Sequence, residues 1–123
     1  MSGHSSDKMI LCIDDDDSIL SYHRALLERR GFEVLTTNSA RKGLQIAAAL
    51  TIAAVIVDYN MPEMNGHEVA MEIKRIRPTM PVVMVSGEEM IPVQTLNVVD
   101  AFVSKDEAHV RLLPVVTEIC ARS

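Results

Sequence analysis

Several polar residues of this sequence follow directly after short apolar runs, where they could take part in chemistry together. The stretch LCIDDDDSIL, residues 11–20, leads an apolar run into four consecutive aspartates, of which Asp14 and Asp15 come first. Asp58 follows another apolar run, residues 53–57. Crowded carboxylates repel and raise one another's pKa, so a fold that gathers them needs something to offset that cost.

Three carboxylates at one place make a site for a hard cation, and Mg2+ typically takes one or two of them together with waters and phosphate oxygens. With the cation bound, Asp58 can act as a nucleophile on a phosphoryl group. Lys105, after the run 101–103, can neutralise charge on the transferring oxygens, and Ser86, after the run 81–85, can hydrogen-bond one of them. The pattern therefore indicates phosphoryl chemistry at a magnesium site.

Each of these residues also has a purely structural explanation. Aspartate is a preferred N-cap and interacts well with the helix dipole, so Asp16 and Asp17 are expected to cap the helix that follows. Taken singly, Asp58 suits a loop cap, Ser86 a turn hydroxyl and Lys105 a solvated charge. All three stand at the carboxyl ends of predicted strands, however, and this coincidence favours a shared site.

The elements that must position these residues alternate between strand and helix. Strands are predicted from five short apolar runs, at residues 9–13, 32–36, 53–57, 81–85 and 101–103. Helices are predicted over residues 18–30 and 39–50, between the turn at Asn65-Gly66 and Pro78, and over residues 107–121. This alternation predicts an α/β fold with a doubly wound parallel sheet and helices on both faces. Ligands bind such sheets at the carboxyl ends of the strands, where successive crossovers go to opposite faces.

Glycine and proline refine these elements. Gly31 supplies a stop for the first helix, and Pro114 is expected to kink the last helix or to shift its start. In the segment 87–99, Pro92 can open a short helix as its first residue, and the rest of that segment is expected to be partly irregular.

The composition is that of one globular domain. The chain has 123 residues, 48% of them hydrophobic and 24% charged, and no apolar run approaches the length of about 20 residues that spans a membrane. Residues 1–8 are small and polar, without the apolar segment of a signal peptide, so we expect a disordered tail before a cytoplasmic domain at residues 9–121. Cys12 and Cys120 form no CxxC pair and are expected to be reduced.

Charge and histidine spacing argue against two further classes of function. A net charge of −5 and a pI of about 5.3 disfavour a nucleic-acid surface, which would need a basic patch. His23, His67 and His109 lack the spacing of metal ligands and are expected to be partly exposed on helices. Neither nucleic acid nor a membrane is therefore an expected partner of this domain.

The sequence resembles the receiver domains of two-component response regulators, including the single-domain chemotaxis type. The resemblance covers nearly the whole chain, in the motifs MILCIDDDDSIL, AVIVDYNMPEMNG, PVVMVSGEE and AFVSKDE, of which DYNMPEMNG is the most specific. It implies a flavodoxin-like five-stranded sheet of order 2-1-3-4-5, Mg2+ as the cofactor, and phosphorylation by a histidine kinase or a phosphotransfer protein. It also implies a phosphoacceptor regulator with an unknown downstream protein, not an enzyme acting beyond its own phosphorylation and dephosphorylation.

The resemblance implies a role for each residue of the site. Asp58 looks like the phosphoacceptor, and Lys105 and Ser86 act with it in phosphoryl transfer. Ser86 and Phe102 look like the pair that switches the output surface. The implied Mg2+ ligands are Asp14, Asp15, Asp58 and the backbone carbonyl of Asn60.

The sequence departs from the family pattern in two places. Asp106 follows Lys105 where the family usually has proline, often after a cis bond. Ser86 and Lys105 are 19 residues apart, a spacing shorter than is common in the family, which predicts a truncated fourth helix. Because that helix belongs to the usual output surface, the choice of partner transfers less readily than phosphorylation does.

Two other functions stay open. The pattern Asp14-x-Asp16-x-Ser18 resembles the first motif of haloacid-dehalogenase-type phosphatases, with Asp14 as nucleophile and Asp16 as acid or base. Ser86 and Lys105 would be their downstream partners. That interpretation leaves DYNMPEMNG unexplained and lacks a final acidic motif for the metal. The other function is an interaction module on the same fold that works without phosphorylation, and the intact acidic residues count against it.

Overall fold

The computed structural model describes residues 8–87 and 90–122, and within them the strands form one parallel sheet. The strands are β1 (Met9–Ile13), β2 (Glu33–Thr37), β3 (Ala54–Asp58), β4 (Val82–Ser86) and β5 (Ala101–Ser104). They lie in the order β2-β1-β3-β4-β5, and each neighbouring pair is parallel. The prediction of a flavodoxin-like sheet of order 2-1-3-4-5 is therefore confirmed.

A helix follows each strand, as the alternating pattern predicts. The helices are α1 (Asp17–Glu28), α2 (Ala40–Ala49), α3 (Gly66–Ile76), α4 (Val93–Val98) and α5 (Ala108–Arg122). Both β3 and β4 begin and end one residue later than their apolar runs predict. Asp58 and Ser86 are therefore the last residues of strands and not the first residues of loops, so the sheet itself fixes their backbones.

The sheet lies between two layers of helices, and its three central strands are the most buried. Alternate strand residues point to opposite faces, so Ile10 and Cys12 pack on one side of the sheet and Leu11 and Ile13 on the other. The first side is covered by α1 and α5, and the second by α2 and α3. Because both faces are covered there, the central strands β1, β3 and β4 are apolar up to their last residue, whereas the edge strand β2 is more polar and partly exposed.

The capping of the first helix is as predicted, although α1 begins one residue before and ends two residues before the predicted bounds of 18 and 30. Asp16 is the N-cap of α1, and its carboxylate accepts hydrogen bonds from the backbone N–H groups of Ser18 and Ile19. Asp17 stands in the first turn, where its charge interacts favourably with the helix dipole. After the helix, Gly31 has a φ of +90°, a conformation that residues with a Cβ rarely adopt.

The two proline predictions have different outcomes. Pro92 is the N-cap of the six-residue helix α4 and not its first residue as predicted, whereas the predicted shortening of the fourth helix is confirmed. Thr95 is the buried residue of α4, and its hydroxyl oxygen lies 2.9 Å from Nδ1 of His67 on α3. Pro114 lies inside α5, which still begins at Ala108, so proline does not shift the start of this helix.

One prediction about the histidines is wrong. His23 is 3% exposed and lies on the inner face of α1 with Leu20 and Leu27. These positions share one stripe of the helix, because residues three, four and seven apart lie on the same face. Burial, with a smaller contribution from the charge of Lys105, lowers the pKa of His23 from 6.5 to about 4. His23 is therefore a neutral core residue at physiological pH.

Some sequence predictions fall outside the described part of the chain. Residues 1–7 of the predicted disordered tail lie outside it, as do residues 88 and 89 of the segment expected to be partly irregular. Within the described ranges, every helix is too short or too polar to cross a bilayer.

Candidate functional site

The sheet topology brings the carboxyl ends of β1 and β3 side by side. The chain crosses from β1 to β2 in one direction and from β2 to β3 in the other, which creates a switch point between β1 and β3. Asp14 and Asp15 follow β1, and Asp58 ends β3. Next to them, β4 ends at Ser86 and β5 leads into Lys105. The residues predicted to converge at this edge of the sheet do lie there.

Three carboxylates form a cluster at the switch point. One carboxylate oxygen from each of Asp14, Asp15 and Asp58 lies within 4.8 Å of the other two. Asp14 is 3% exposed and Asp58 is 2% exposed, whereas Asp15 is open to solvent. The cluster therefore has a buried floor of two carboxylates and one carboxylate at its mouth.

Lys105 places a cation against the buried part of this cluster. Its Nζ lies 3.2 Å from Oδ1 of Asp58 and 3.6 Å from Oδ2 of Asp14. Lys105 begins a 3-10 turn in which the backbone N–H of Asp106 donates to the hydroxyl of Ser104 at 3.3 Å. Proline, usual at this position in the family that the sequence resembles, has no N–H to donate. With Asp106 in place of proline, the Lys105 amine still pairs with both carboxylates.

Backbone amides orient the two buried carboxylates. The N–H of Asp16 donates to Oδ1 of Asp14 at 2.9 Å, and a backbone hydrogen bond from Asn60 reaches the carboxylate of Asp58. The N–H of Tyr59 donates to the carbonyl of Val85 at 2.9 Å, which continues the sheet one step beyond Asp58. In each case, the backbone N–H two residues further along the chain therefore fixes the orientation of the carboxylate.

Gly66 allows the β3–α3 loop, which we define as residues 59–65, to fold back against the end of β3. A Cβ on Gly66 would lie 2.6 Å from the carbonyl oxygen of Asp58 and 2.8 Å from the Cα of Tyr59. The Gly66 N–H donates to the Tyr59 carbonyl at 2.8 Å, and Asn65 caps α3 in a reciprocal capping box with Glu68. The predicted Asn65-Gly66 turn thus seats the first turn of α3 directly against the strand that carries Asp58.

The protonation of the site reflects burial and crowding. Burial raises the pKa of Asp58 from 3.8 to about 6, and the charge of Asp14 adds to this effect. Burial also raises the pKa of Asp14, although the Asp16 amide and Lys105 oppose the change. Burial by itself would lower the pKa of Lys105, but the charges of Asp14 and Asp58 outweigh it and leave the pKa raised. Lys105 therefore stays protonated and offsets only part of the negative charge.

Replacing Asp58 with asparagine should raise the unfolding free energy of the metal-free protein by about 1–3 kcal/mol at neutral pH, because it removes an unfavourable buried charge. Between its unfolded pKa of 3.8 and its folded pKa of about 6, Asp58 binds more protons in the folded state. Protonation of Asp58 therefore stabilises the folded state fully below about pH 4, and this contribution is lost as the pH rises through about 6. The advantage of Asp58→Asn should thus shrink on acidification, as urea denaturation with a chelator present would measure.

A matched control for this prediction is Asp106→Asn, which neutralises an exposed carboxylate next to the site. It should change the unfolding free energy by less than about 0.5 kcal/mol across the same pH range. An Asp58→Asn variant less stable than the parent at neutral pH would contradict the proposed carboxylate crowding.

The donor set of the cluster fits a hard divalent cation. Oδ1 of Asp58 is buried, and none of the described residues donates a well-directed hydrogen bond to it, although Lys105 pairs with it electrostatically. Buried carboxylate oxygens are normally satisfied by hydrogen bonds or by a metal. Mg2+ prefers oxygen ligands, and the three carboxylates present such oxygens together. The residues present are therefore compatible with the predicted magnesium site.

The remaining predicted site residues lie around the cluster. Ser86 is fully buried at the end of β4, one residue beyond Val85, which pairs with Asp58. Phe102 is half-buried on β5, where it pairs with Met84 and packs against the α2–α3 side of the core. Ser86 thus ends the strand next to the one that carries Asp58, and Phe102 lies one strand further along the sheet.

Nothing in the sequence singled out the contacts that tie the surrounding loops together. Asn38 Nδ2 donates to Oδ1 of Asp17 at 3.2 Å, which joins the β2–α2 loop to the first turn of α1. Glu63, in the β3–α3 loop, binds the first residues of α2. The Glu63 contact had one indication in the sequence. The first turn of α2 holds Arg41 and Lys42 and no acidic residue of its own.

Comparison with known sequences gives one family. The sequence model of the response regulator receiver domain matches residues 10–117. The transcriptional regulatory protein GlrR of Escherichia coli (strain K12) is 32% identical over 83 residues, which are 68% of this chain and 19% of GlrR. The chain therefore spans about a fifth of the length of that relative.

Comparison with solved structures gives the same architecture. The CheY-like receiver domain protein of Methanospirillum hungatei JF-1 superposes with a TM-score of 0.88 at 30% identity, covering 94% of both chains. The response regulator TrrA of Thermotoga maritima, in complex with Mg2+-BeF, has a TM-score of 0.86 at 24% identity and covers 91% of this chain and 98% of its own. At 24% identity, the similarity to TrrA shows a common fold.

Proposed function

Because this chain belongs to the response regulator receiver domain family, we propose that it accepts a phosphoryl group on Asp58 from a histidine kinase or a phosphotransfer protein. The observation that carries the proposal is the cluster in which buried Asp58 lies beside two further carboxylates and 3.2 Å from the Lys105 amine. Locating an acyl phosphate on Asp58 by mass spectrometry tests it.

The transfer needs little from the protein beyond a placed nucleophile and positive charge. One carboxylate oxygen of Asp58 attacks phosphorus, the bond from phosphorus to the donor's imidazole nitrogen breaks, and the imidazole keeps the electron pair. A pKa of about 6 leaves most Asp58 ionised at neutral pH, so no base is required to remove a proton. Lys105 pairs with an oxygen of the incoming phosphoryl group in place of the Asp58 oxygen that becomes bonded to phosphorus.

Mg2+ is the cofactor of this proposal. Asp14, Asp15, Asp58 and the backbone carbonyl of Asn60 would hold it. When bound, the cation neutralises negative charge on the phosphoryl oxygens and offsets the repulsion among the carboxylates. The Asp16 amide keeps Asp14 oriented toward the site, and exposed Asp15 leaves the mouth of the site open to a donor.

Ser86 and Phe102 couple phosphorylation to the output surface in this proposal. A phosphoryl group on Asp58 adds charge and strong acceptor oxygens next to the end of β4, where the Ser86 hydroxyl can donate to one of them. The accompanying inward movement of the loop after β4 makes room for Phe102 to rotate toward the core. A preference of a few kcal/mol between two existing states is enough, and one or two charge-assisted hydrogen bonds supply it.

The Ser86→Ala variant should still be phosphorylated but should respond weakly. Beryllofluoride, a phosphoryl mimic, should shift the amide resonances of the parent from Ser86 to Lys105, because the hydroxyl draws the loop inward. In Ser86→Ala, the shifts beyond the pocket should largely disappear. Two-dimensional NMR of both proteins, with and without the mimic, measures this difference.

Ser21→Ala, on the exposed surface of α1, is the matched control and should respond as the parent does. If Ser86→Ala shows the full shifts of the parent, or if the parent shows none outside the pocket, the hydroxyl does not couple phosphorylation to the output surface.

The same observations argue against the two alternative functions, the phosphatase and the phosphorylation-independent interaction module. A phosphatase with Asp16 as acid or base would need a carboxylate that the structure uses to cap α1. An interaction module independent of phosphorylation would have no use for a strained group of three carboxylates. We therefore propose a regulator and not an enzyme acting on other substrates, and Cys12 and Cys120, which form no disulfide, suit the reducing cytoplasm.

A further inference from the structure

We propose that Glu63 is a positioning residue for cation binding, because it joins the middle of the β3–α3 loop to the N-terminus of α2. This inference rests on the proposed magnesium site, in which that loop supplies the Asn60 carbonyl. Glu63 does not touch the cation in this proposal. It fixes the loop on which the carbonyl ligand is carried.

The contacts of Glu63 are directed and come from three consecutive residues. Its Oε1 accepts a hydrogen bond from the backbone N–H of Ala40 at 2.9 Å and another from the hydroxyl of Ser39 at 3.2 Å. Its Oε2 lies 3.6 Å from Nε of Arg41. The Ala40 N–H is part-buried, so the carboxylate satisfies a donor that has little access to water.

The N-terminus of α2 has a particular need for this carboxylate. The first N–H groups of a helix have no partner within the helix, and negative charge is favourable there. The first turn of α2 contains no acidic residue and instead carries Arg41 and Lys42. Ser39 caps only the N–H of Lys42. Glu63 therefore supplies, from another loop, the charge and the acceptor that the helix lacks.

The same contact gives the β3–α3 loop a fixed point between its ends. Tyr59 is held by β4 at the start of the loop, and Asn65 is held by the cap of α3 at its end. Glu63 ties the middle of the loop to α2, which packs against the same side of the sheet as α3. The Asn60 amide is itself bonded to the carboxylate of Asp58, so Glu63 adds a second restraint on the segment that carries the Asn60 carbonyl. Groups that orient metal ligands typically change metal affinity about 10–100-fold when removed.

The test compares the Mg2+ affinity of the parent with that of Glu63→Ala and Glu63→Gln. Titration followed by tyrosine fluorescence, to which Tyr59 next to Asp58 contributes, gives the dissociation constant. NMR hydrogen exchange at the Ala40 amide reports the contact itself. Glu63→Ala should weaken Mg2+ binding about ten-fold and speed exchange at Ala40. Glu63→Gln keeps an acceptor oxygen, so its affinity should lie closer to that of the parent.

Glu72→Ala is the control, because it removes an equal charge from α3 and breaks only an exposed pair with Arg75. It should bind Mg2+ as the parent does. Parent-like affinity in Glu63→Ala, or equal losses in Glu63→Ala and Glu72→Ala, would overturn the positioning role while leaving the magnesium site standing. A purely structural role would lower the unfolding free energy without changing Mg2+ affinity. A parent that binds no Mg2+ would overturn both proposals.

Discussion

Acetyl phosphate with Mg2+ should place one phosphoryl group on Asp58, and the Asp58→Asn variant should take up none. Asp58 is the carboxylate of the cluster that is both buried at a strand end and 3.2 Å from the Lys105 amine. A small donor can reach it past exposed Asp15, and an asparagine amide is not a nucleophile at neutral pH. Borohydride reduction of the acyl phosphate followed by peptide mass spectrometry locates the modified residue.

The same experiment separates the receiver from the phosphatase alternative. Label on Asp14 in the parent would favour a phosphatase with Asp14 as nucleophile, and label that persists in Asp58→Asn would show that Asp58 is not the acceptor. The Asp16→Asn variant provides the matched comparison, because asparagine caps a helix about as well as aspartate. In a receiver it should be phosphorylated as the parent is, whereas a phosphatase would lose its acid or base.

Asp15→Asn should weaken Mg2+ binding about 100-fold, an effect as large as that of removing a direct ligand or its essential partner. Asp15 supplies the exposed carboxylate of the cluster, so its loss leaves the cation with two protein carboxylates that are already paired with Lys105. Because Asp15 is exposed, the fold should tolerate the change. Titration of metal-free protein followed by tyrosine fluorescence or NMR measures the affinity.

Asp16→Asn again serves as the control, since it removes the same charge from the adjacent residue while keeping the helix cap. It should lower Mg2+ affinity only slightly, through the weaker field of the loop. Equal affinity for Asp15→Asn and the parent would remove Asp15 from the ligand set. Equal losses in the two variants would mean that net charge and not coordination attracts the cation.

Much of the candidate site could be predicted because its parts are encoded locally. Apolar runs that end in Asp14, Asp58 and Ser86 predict buried strands with polar ends, and a parallel sheet must bring such ends to one edge. Caps are also local, so Asp16 and the Asn65-Gly66 turn were predictable from a few neighbouring residues. The short α4 was predicted from the resemblance, because the spacing of Ser86 and Lys105 is shorter than is common in that family.

The tertiary structure alone decided which of these groups are buried and which are paired. The sequence cannot distinguish Asp14 from Asp15, yet one lies under the site and the other at its mouth, because the chain turns away from the sheet between them. His23 is polar by type, but it shares the inner stripe of α1 with Leu20 and Leu27 and is buried with them.

The contact between Glu63 and Ala40 shows most clearly what could not be predicted from the sequence. These residues are 23 positions apart, and their hydrogen bond exists because α2 and α3 pack side by side on the same face of the sheet. The sequence by itself determined the strand ends, the helix caps and the set of groups available for phosphoryl chemistry, since each depends on neighbours along the chain. Distances, burial, pKa values and the joining of one loop to another were decided only by packing, since each depends on groups brought together from separate elements.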